Sequence, residues 1–341
     1  MAQNGEKHIE FDSSRTFDVV PIGRIAIDFN PIDYFKTLAE SENFKKYVGG
    51  SPANIAVGLA RLGKRVGFYA KVSEDKFGDF VINFFNKEGI DTSRITRVMG
   101  GQKLGLTFTE ILTPSDSSTL MYRNDAADLK LSPVDIDETY IKDTKAILIS
   151  GTALSESPSR EAALKAMYIA KKVNTRIIFD IDYRNYNWKS FDELAEYYSI
   201  LAENSDIVIG SREEFDLTEA ISAPGRSDKQ TAEYWLSRGN KIVIIKRGKQ
   251  GSTAYTACGK EYNAKPFPIK AIRPNGGGDG YCSAFIAGLL DGKDIPECLE
   301  MASASAAILL GVHGGSAFMP TTEELKAFIF KCKSNGSTFV Y

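Results

Sequence analysis

Histidine is nearly absent from this chain of 341 residues: it occurs twice, and His8 lies in a polar N-terminal stretch. That scarcity all but removes Ser-His-Asp chemistry and His-rich zinc sites. Cysteine is sparse as well. Cys258, Cys282, Cys298 and Cys332 are widely spaced and form no CxxC pair, which argues against a disulfide framework and for reduced thiols. No apolar run reaches the roughly 18 residues of a membrane span. The opening "MAQNGEKHIEFDSSRT" lacks the apolar core of a signal peptide. A net charge of -2 gives no drive toward nucleic acid or anionic lipid. The expectation is a cytoplasmic protein with small-molecule partners, no nucleic acid and no membrane.

What the sequence does have is an ordinary soluble composition, 43% hydrophobic and 25% charged. Past residue 145, apolar runs alternate with helical periodicity. "AILIS" (146–150), "RIIFDID" (176–182), "DIVIGS" (206–211) and "KIVIIKRG" (241–248) read as strands. Helical patterns fill the gaps in "PSREAALKAMYIAKKV", "FDELAEYYSILAE", "EEFDL" and "TAEYWLSRG". Strands apolar throughout and separated by helices predict a parallel sheet covered on both faces, a doubly wound α/β domain. Residues 18–125 differ. "DVVPIGRIAIDF" opens with a strand, and 101–124 reads as a β-hairpin turning at "TPSDSS". So few strands cannot bury two faces, so a small β-sheet projecting from the main domain is expected. Polar residues gather at the strand ends: Asp180, Asp182 and Arg184, then Ser211 and Glu214, then Lys246 and Gly248. Open parallel sheets bind ligands outside the carboxyl ends of their strands, which places the predicted site there.

In "RPNGGGDGYCSAFIAGLL" (273–290), three glycines and an aspartate precede a helical pattern. The unpaired N–H groups and dipole of a helix N-terminus attract anions, and glycines let the backbone surround a phosphoryl group. Capping would account for Asp279 but not for three glycines. A carboxylate beside an anion cradle makes chemical sense if it accepts a proton from an attacking alcohol. Asp279 is therefore the candidate base, and Gly276, Gly277 and Gly278 the candidate anion hole. GxGxxG fails at Tyr281 and no GK[ST] is present, which disfavours a nicotinamide oxidoreductase and a Walker lysine.

The stretch "GGSPANIAVGLARLG" (49–63) predicts a helix with Ser51 as N-cap, Pro52 at N1 and Asn54 in the first turn, its amide aimed at ligand hydroxyls. Together with "KVSEDKFGDF" (71–80) and the glycine–aspartate loop, it resembles the ribokinase-like (PfkB) family of carbohydrate kinases, over roughly residues 17–330. The resemblance implies a doubly wound, mostly parallel sheet with a small β-sheet lid. It implies ATP and Mg2+, with a monovalent cation as an optional third, and a sugar hydroxyl as acceptor. The kinase domain would span 17–330, with lid segments about 24–50 and 98–125 and tails at 1–16 and 331–341. Because an open lid exposes apolar faces and strand edges, a homo-oligomer is expected, a dimer through the lids.

"GRIAIDF", "MYRNDAADLKLS", "SGTALSESPSREAAL", "FDIDYRNYNWKS" and "VIGSREEFD" are similar to the 5-dehydro-2-deoxygluconokinase branch of that family. That similarity implies transfer to the C6 hydroxyl of a sugar acid of inositol breakdown. Carried onto this chain, Glu214 would orient Mg2+ through water. Asp28, Asn30, Gly50, Asn54, Arg123 and Arg184 would hold the substrate, and Lys246, Gly248, Gly251 and His313 the ATP side. Arg123, ending "TLMYR", is expected to meet the carboxylate, the plainer reading being a surface pair with Asp125. Arg184 would bind carboxylate or phosphate, or else pair with Asp180 or Asp182. Two positions depart from the family pattern: Gly277 replaces an alanine, and Ser211 replaces the asparagine of Asn-x-x-Glu. A 2-keto-3-deoxygluconate kinase, a fructokinase and a non-catalytic sugar or nucleotide sensor are the alternatives.

Overall fold

Isoleucine and valine occupy both faces of the central strands, and this sets the architecture. The computed structural model describes residues 8–113, 116–269, 271–272 and 276–334. In chain order the strands are β1 (Phe17–Ile22), β2 (Ala26–Pro31), β3 (Phe44–Gly49), β4 (Ala70–Val72), β5 (Ile95–Arg97), β6 (Gly105–Thr113) and β7 (Asp116–Tyr122). They continue as β8 (Thr144–Ser150), β9 (Arg176–Asp180), β10 (Ile207–Ser211), β11 (Ile242–Lys246), β12 (Ser252–Thr256) and β13 (Glu261–Ala264).

The large sheet has the order β1-β8-β9-β10-β11-β12-β13. Its first five strands are parallel, and β12 and β13 close one edge antiparallel. Along β11, Ile242 and Ile244 enter a core shared with the helices Ser51–Arg61, Gly277–Leu290 and Ile295–Leu310. Val243 and Ile245 enter a second core, on the opposite face, with Ser159–Lys172 and Phe191–Glu203. All four side chains are fully buried, and each such burial is worth about 1.5–3 kcal/mol. Two covered faces are why these strands read as unbroken apolar runs. This is the doubly wound α/β arrangement expected from the sequence, with helices on both sides.

The smaller sheet has the order β3-β2-β6-β7, with β2 antiparallel to β3 and parallel to β6. β6 and β7 form the expected hairpin; residues 114–115 of its turn lie outside the described residues. A further parallel pair is formed by β4 and β5, and the segment leading into β4 is bridged to β1 through Val19–Val66 and Ile22–Tyr69.

Structure reaches into both segments expected as tails. The expected N-terminal tail packs from Ile9 onward: Ile9 and Phe11 lie against the core, and Arg15 donates to the carbonyls of Thr144 and Val173, each at 2.8 Å. The helix Thr322–Ser334 carries regular structure past residue 330. Residues 1–7 and 335–341 of the two tails lie outside the described residues. All four cysteines are free thiols. Among the described residues, no helix is long and apolar enough to cross a membrane.

Candidate active site

The carboxyl ends of β9, β10 and β11 open on a cavity of about 210 Å3. Asp180, Asp182 and Arg184 line it from the end of β9, Ser211 and Glu214 from β10, and Lys246 from β11. Ser51, Gly276, Gly278 and Asp279 complete the wall from two helix N-termini. A cavity of about 230 Å3 beside residues 8–11 and 289–295 contains none of the candidate residues.

The glycine loop enters its helix earlier than expected. Gly276 is the N-cap, at φ 98°, and Gly277 and Gly278 already belong to the first turn of Gly277–Leu290. The left-handed φ explains Gly276. A Cβ on Gly277 would press on Leu310 Cγ at 3.2 Å, whereas one on Gly278 would meet only Lys246 Nζ at 3.7 Å. Arg273, Pro274 and Asn275 lie outside the described residues.

Asp279 sits in the same first turn but leaves its own helix end uncapped. The Ser51 hydroxyl donates to its Oδ1 and the Asn54 amide to its Oδ2, both at 2.7 Å. Two helices must approach closely for this, and Gly58 allows it: a Cβ there would run into Ser283. The expected N-cap moves by one residue. Gly50 caps the Ser51–Arg61 helix at φ 101°, which releases the Ser51 hydroxyl for Asp279 and, at 3.2 Å, for Asp180. Gly50 itself packs on the Arg24 carbonyl, leaving no room for a side chain. Asn54 therefore aims at Asp279, where a ligand hydroxyl was expected.

Carboxylates dominate the electrostatics. Burial pushes Asp180 up to about 8; Asp182, Glu214 and Asp279 add to the rise and Lys246 opposes it. Burial also raises Asp182, against the pull of Arg184, which pairs with it at 2.8 Å. Asp182 sits at φ 42°, a strained backbone for an aspartate, and accepts from Ser150 Oγ at 2.8 Å. Burial disfavours the Lys246 ammonium, but Glu214, Asp180 and Asp279 outweigh it, so the lysine stays charged. Glu214 is anchored by backbone donors, Ser211 N–H at 2.6 Å and Tyr183 N–H at 2.9 Å, while the Ser211 hydroxyl caps the Glu214 N–H.

Several expected site residues are used elsewhere. Arg123 is 6% exposed and pairs with Asp128 at 2.6 Å. Its remaining donors go to Asn187, Ser155 and the Thr152 carbonyl. All of its N–H groups thus have protein acceptors, so a substrate contact through them is withdrawn; Asp125 pairs with Lys130 instead. His313 is engaged with the small sheet. Its ring bonds Tyr47 Oη at 3.0 Å and the Pro31 carbonyl at 2.7 Å, and its own carbonyl accepts from Asn30 at 3.0 Å. His313 and Asn30 therefore tie the C-terminal loop to the small sheet. Asp28 leans over Gly49, beside the start of the Ser51–Arg61 helix. Gly248 and Gly251 form the β11–β12 turn at φ 53° and 94°, and Gly251 packs on the Ala264 carbonyl. The sequence reading left Ser51, Asp180 and Asp182 out of the reacting set, although their position at element ends was visible.

The chain matches the pfkB family of carbohydrate kinases over residues 16–322. It is 63% identical over 327 residues to a 5-dehydro-2-deoxygluconokinase of Clostridium perfringens (strain 13 / Type A), covering 96% of this chain and 97% of that protein. A 5-dehydro-2-deoxygluconokinase of Bacillus subtilis (strain 168) is 46% identical over 319 residues, covering 94% and 98%. Among solved structures, an E. coli protein provisionally called ribokinase II, in complex with ATP and Mg2+, aligns with a TM-score of 0.84 at 26% identity, covering 93% of this chain and 100% of that one. This chain belongs to the pfkB family of carbohydrate kinases.

Proposed function

We propose that this protein transfers the γ-phosphoryl group of ATP to the C6 hydroxyl of 5-dehydro-2-deoxygluconate. The observation carrying the chemistry is the Asp279 carboxylate, fixed by Ser51 and Asn54 at the N-terminus of the Gly277–Leu290 helix. The relatives at 63% and 46% identity support the choice of acceptor.

In this reading the C6 oxygen attacks the γ-phosphorus, its proton passes to Asp279, and the bond to the β-phosphate oxygen breaks to release ADP. Positioned proton transfer of this kind contributes roughly 10²–10⁴-fold. The N–H groups of Gly277 and Gly278 and the Lys246 ammonium face the developing charge, where preorganised donors act most strongly. The donor set suits Mg2+ held through water. Among the described residues no three metal-binding side chains cluster, and Mg2+ commonly keeps its waters and takes one or two carboxylates plus phosphates. Glu214, locked by two backbone N–H groups, would be that carboxylate. When bound, Mg2+ neutralises charge on the phosphates.

ATP supply and a metabolic acceptor support a cytoplasmic reaction. The exposed Leu120 and Tyr122 on the edge strand β7 support pairing of two copies through their small sheets, which sedimentation would report as a dimer. The function itself is tested by coupled ADP release with 5-dehydro-2-deoxygluconate, 2-keto-3-deoxygluconate and fructose. The first should give the highest kcat/KM and a product phosphorylated at C6. A higher value for either of the others would overturn the assignment.

A further inference from the structure

One buried cation near the cavity is short of hydrogen-bond acceptors. Arg24 lies in the turn between β1 and β2 and is 5% exposed. Its single hydrogen-bond acceptor among the described residues is the Met121 thioether, 3.7 Å from Nη1, and its Nε has no partner. Thioether sulfur is a weak acceptor, and a buried guanidinium without an oxygen partner is costly. Compare Arg123, equally buried, whose donors all reach oxygen atoms. The contrast calls for a partner that arrives with the ligand.

The location narrows the kind of partner. Met121 pairs with Thr107, and Thr107 with Asp28, so the three side chains form a row across one face of the small sheet. Arg24 touches this row at Met121. The groups that bear on its charge are Tyr186, Asp28 and Asp182, which favour it, and Arg184, which opposes it; Tyr186, Asp182 and Arg184 all follow β9. The guanidinium therefore stands between the small sheet, where it meets Met121, and the residues that follow β9. In 5-dehydro-2-deoxygluconate the carboxylate is at the opposite end of the carbon chain from the C6 hydroxyl. A hydroxyl at Asp279 sends the carboxylate toward the small sheet.

We infer that Arg24 is a specificity-determining residue that binds the carboxylate of the sugar acid, and so selects acids over neutral sugars of the same length. This rests on the acceptor proposed above. Arg184 is less suited to the task, being already paired with Asp182 at 2.8 Å. The planar fork of an arginine matches a carboxylate with two parallel bonds, and Nε together with one Nη supplies such an edge.

The test compares wild type, Arg24→Met and Arg24→Lys on 5-dehydro-2-deoxygluconate and on its neutral analogue with the carboxylate reduced to an alcohol. Arg24→Met should lose at least about 30-fold in kcat/KM for the acid, mostly through KM, and less than about threefold for the neutral analogue. Arg24→Lys should fall between, since the charge remains and the fork is lost. Stability offers a separate reading. The acid should raise the melting temperature of wild type and fail to raise that of Arg24→Met, because the stabilisation by bound acid disappears with its partner. Equal losses on acid and neutral analogue, or stabilisation by the acid that survives in Arg24→Met, would make Arg24 structural and overturn the inference. If wild type itself prefers the neutral analogue, the acceptor assignment fails first, and that outcome is distinct.

Discussion

The Asn54 amide donates to Oδ2 of Asp279 at 2.7 Å, joining residues 225 positions apart in the chain. With Ser51 on the other oxygen, the carboxylate is held in one orientation before any ligand arrives. If Asp279 is the base, Asp279→Asn keeps these neighbours but cannot take the proton. Turnover should fall roughly 10²–10⁴-fold, with ATP binding, measured by calorimetry, nearly unchanged. A variant retaining near-normal kcat would remove Asp279 from that role.

Asn54→Ala should separate aim from chemistry. The base remains, but one of its two fixed contacts is gone. Misplacement of a reacting group can cost up to about 10²-fold, so kcat should drop by roughly 10–100-fold while KM for ATP stays put. Unchanged kcat would mean that Ser51 alone orients the carboxylate.

Arg123 should behave as a structural residue. Its partner Asp128 is 3% exposed, and breaking a buried pair from one side costs about 3–5 kcal/mol because the other charge is left behind. Urea denaturation of Arg123→Ala should show a loss of that size, and replacing both partners by apolar residues should recover much of it. Selectivity for the acid in the folded fraction should match wild type. A stable Arg123→Ala that loses acid selectivity would return the residue to the substrate.

The sequence reading chose Arg123 and did not single out Arg24. Both are arginines at the end of a strand or turn of the small sheet, and nothing local distinguishes them. Arg123's main partner, Asp128, is only five positions on, but nothing in the sequence shows that the two side chains meet, and its acceptor Asn187 is 64 positions away. The central strands were legible because burial on both faces writes itself as apolar runs such as "IVIIK". The strands β12 and β13 were not. β12 is fully buried, yet "STAYT" mixes hydroxyls with apolar residues and hides in a hydropathy reading. The glycine–aspartate loop and Glu214 were visible as types of residue at element ends. The hydroxyl of Ser51 was misread because a serine before a helix is usually a cap, and here the glycine before it takes that place.

Asp180 predicts how stability depends on pH. In the folded chain it is pushed up to about 8, from an ordinary value of 3.8. Between these values the folded form holds a proton that the unfolded form has released, so this group lowers stability as pH rises. Above about 8 both forms are ionised and its contribution no longer changes with pH. Asp180→Asn removes the titration. Its stability relative to wild type should therefore rise from about pH 5 to about pH 8 in urea titrations. A difference that stays flat across that window would mean Asp180 is ionised throughout.

The glycine loop offers the sharpest separation of fold from function. Gly276 sits at φ 98°, where alanine is strained, so Gly276→Ala should lose about 1 kcal/mol or more of stability. Gly278 is different. It lies within the helix, and a methyl group there meets only Lys246 Nζ at 3.7 Å, an ordinary contact. Alanine is also the better helix former by about 1 kcal/mol, so the melting temperature of Gly278→Ala should not fall. Yet that methyl group would project into the cavity where the phosphoryl group is proposed to pass, displacing it from the backbone donors. Loss of one such donor costs about 10²–10³-fold in kcat, and a displaced phosphoryl group should lose at least about 10-fold. Gly276→Ala is thus expected to weaken the fold, and Gly278→Ala to weaken turnover while the fold holds. Normal kcat in a stable Gly278→Ala would put the transferring group elsewhere in the cavity, away from this helix N-terminus.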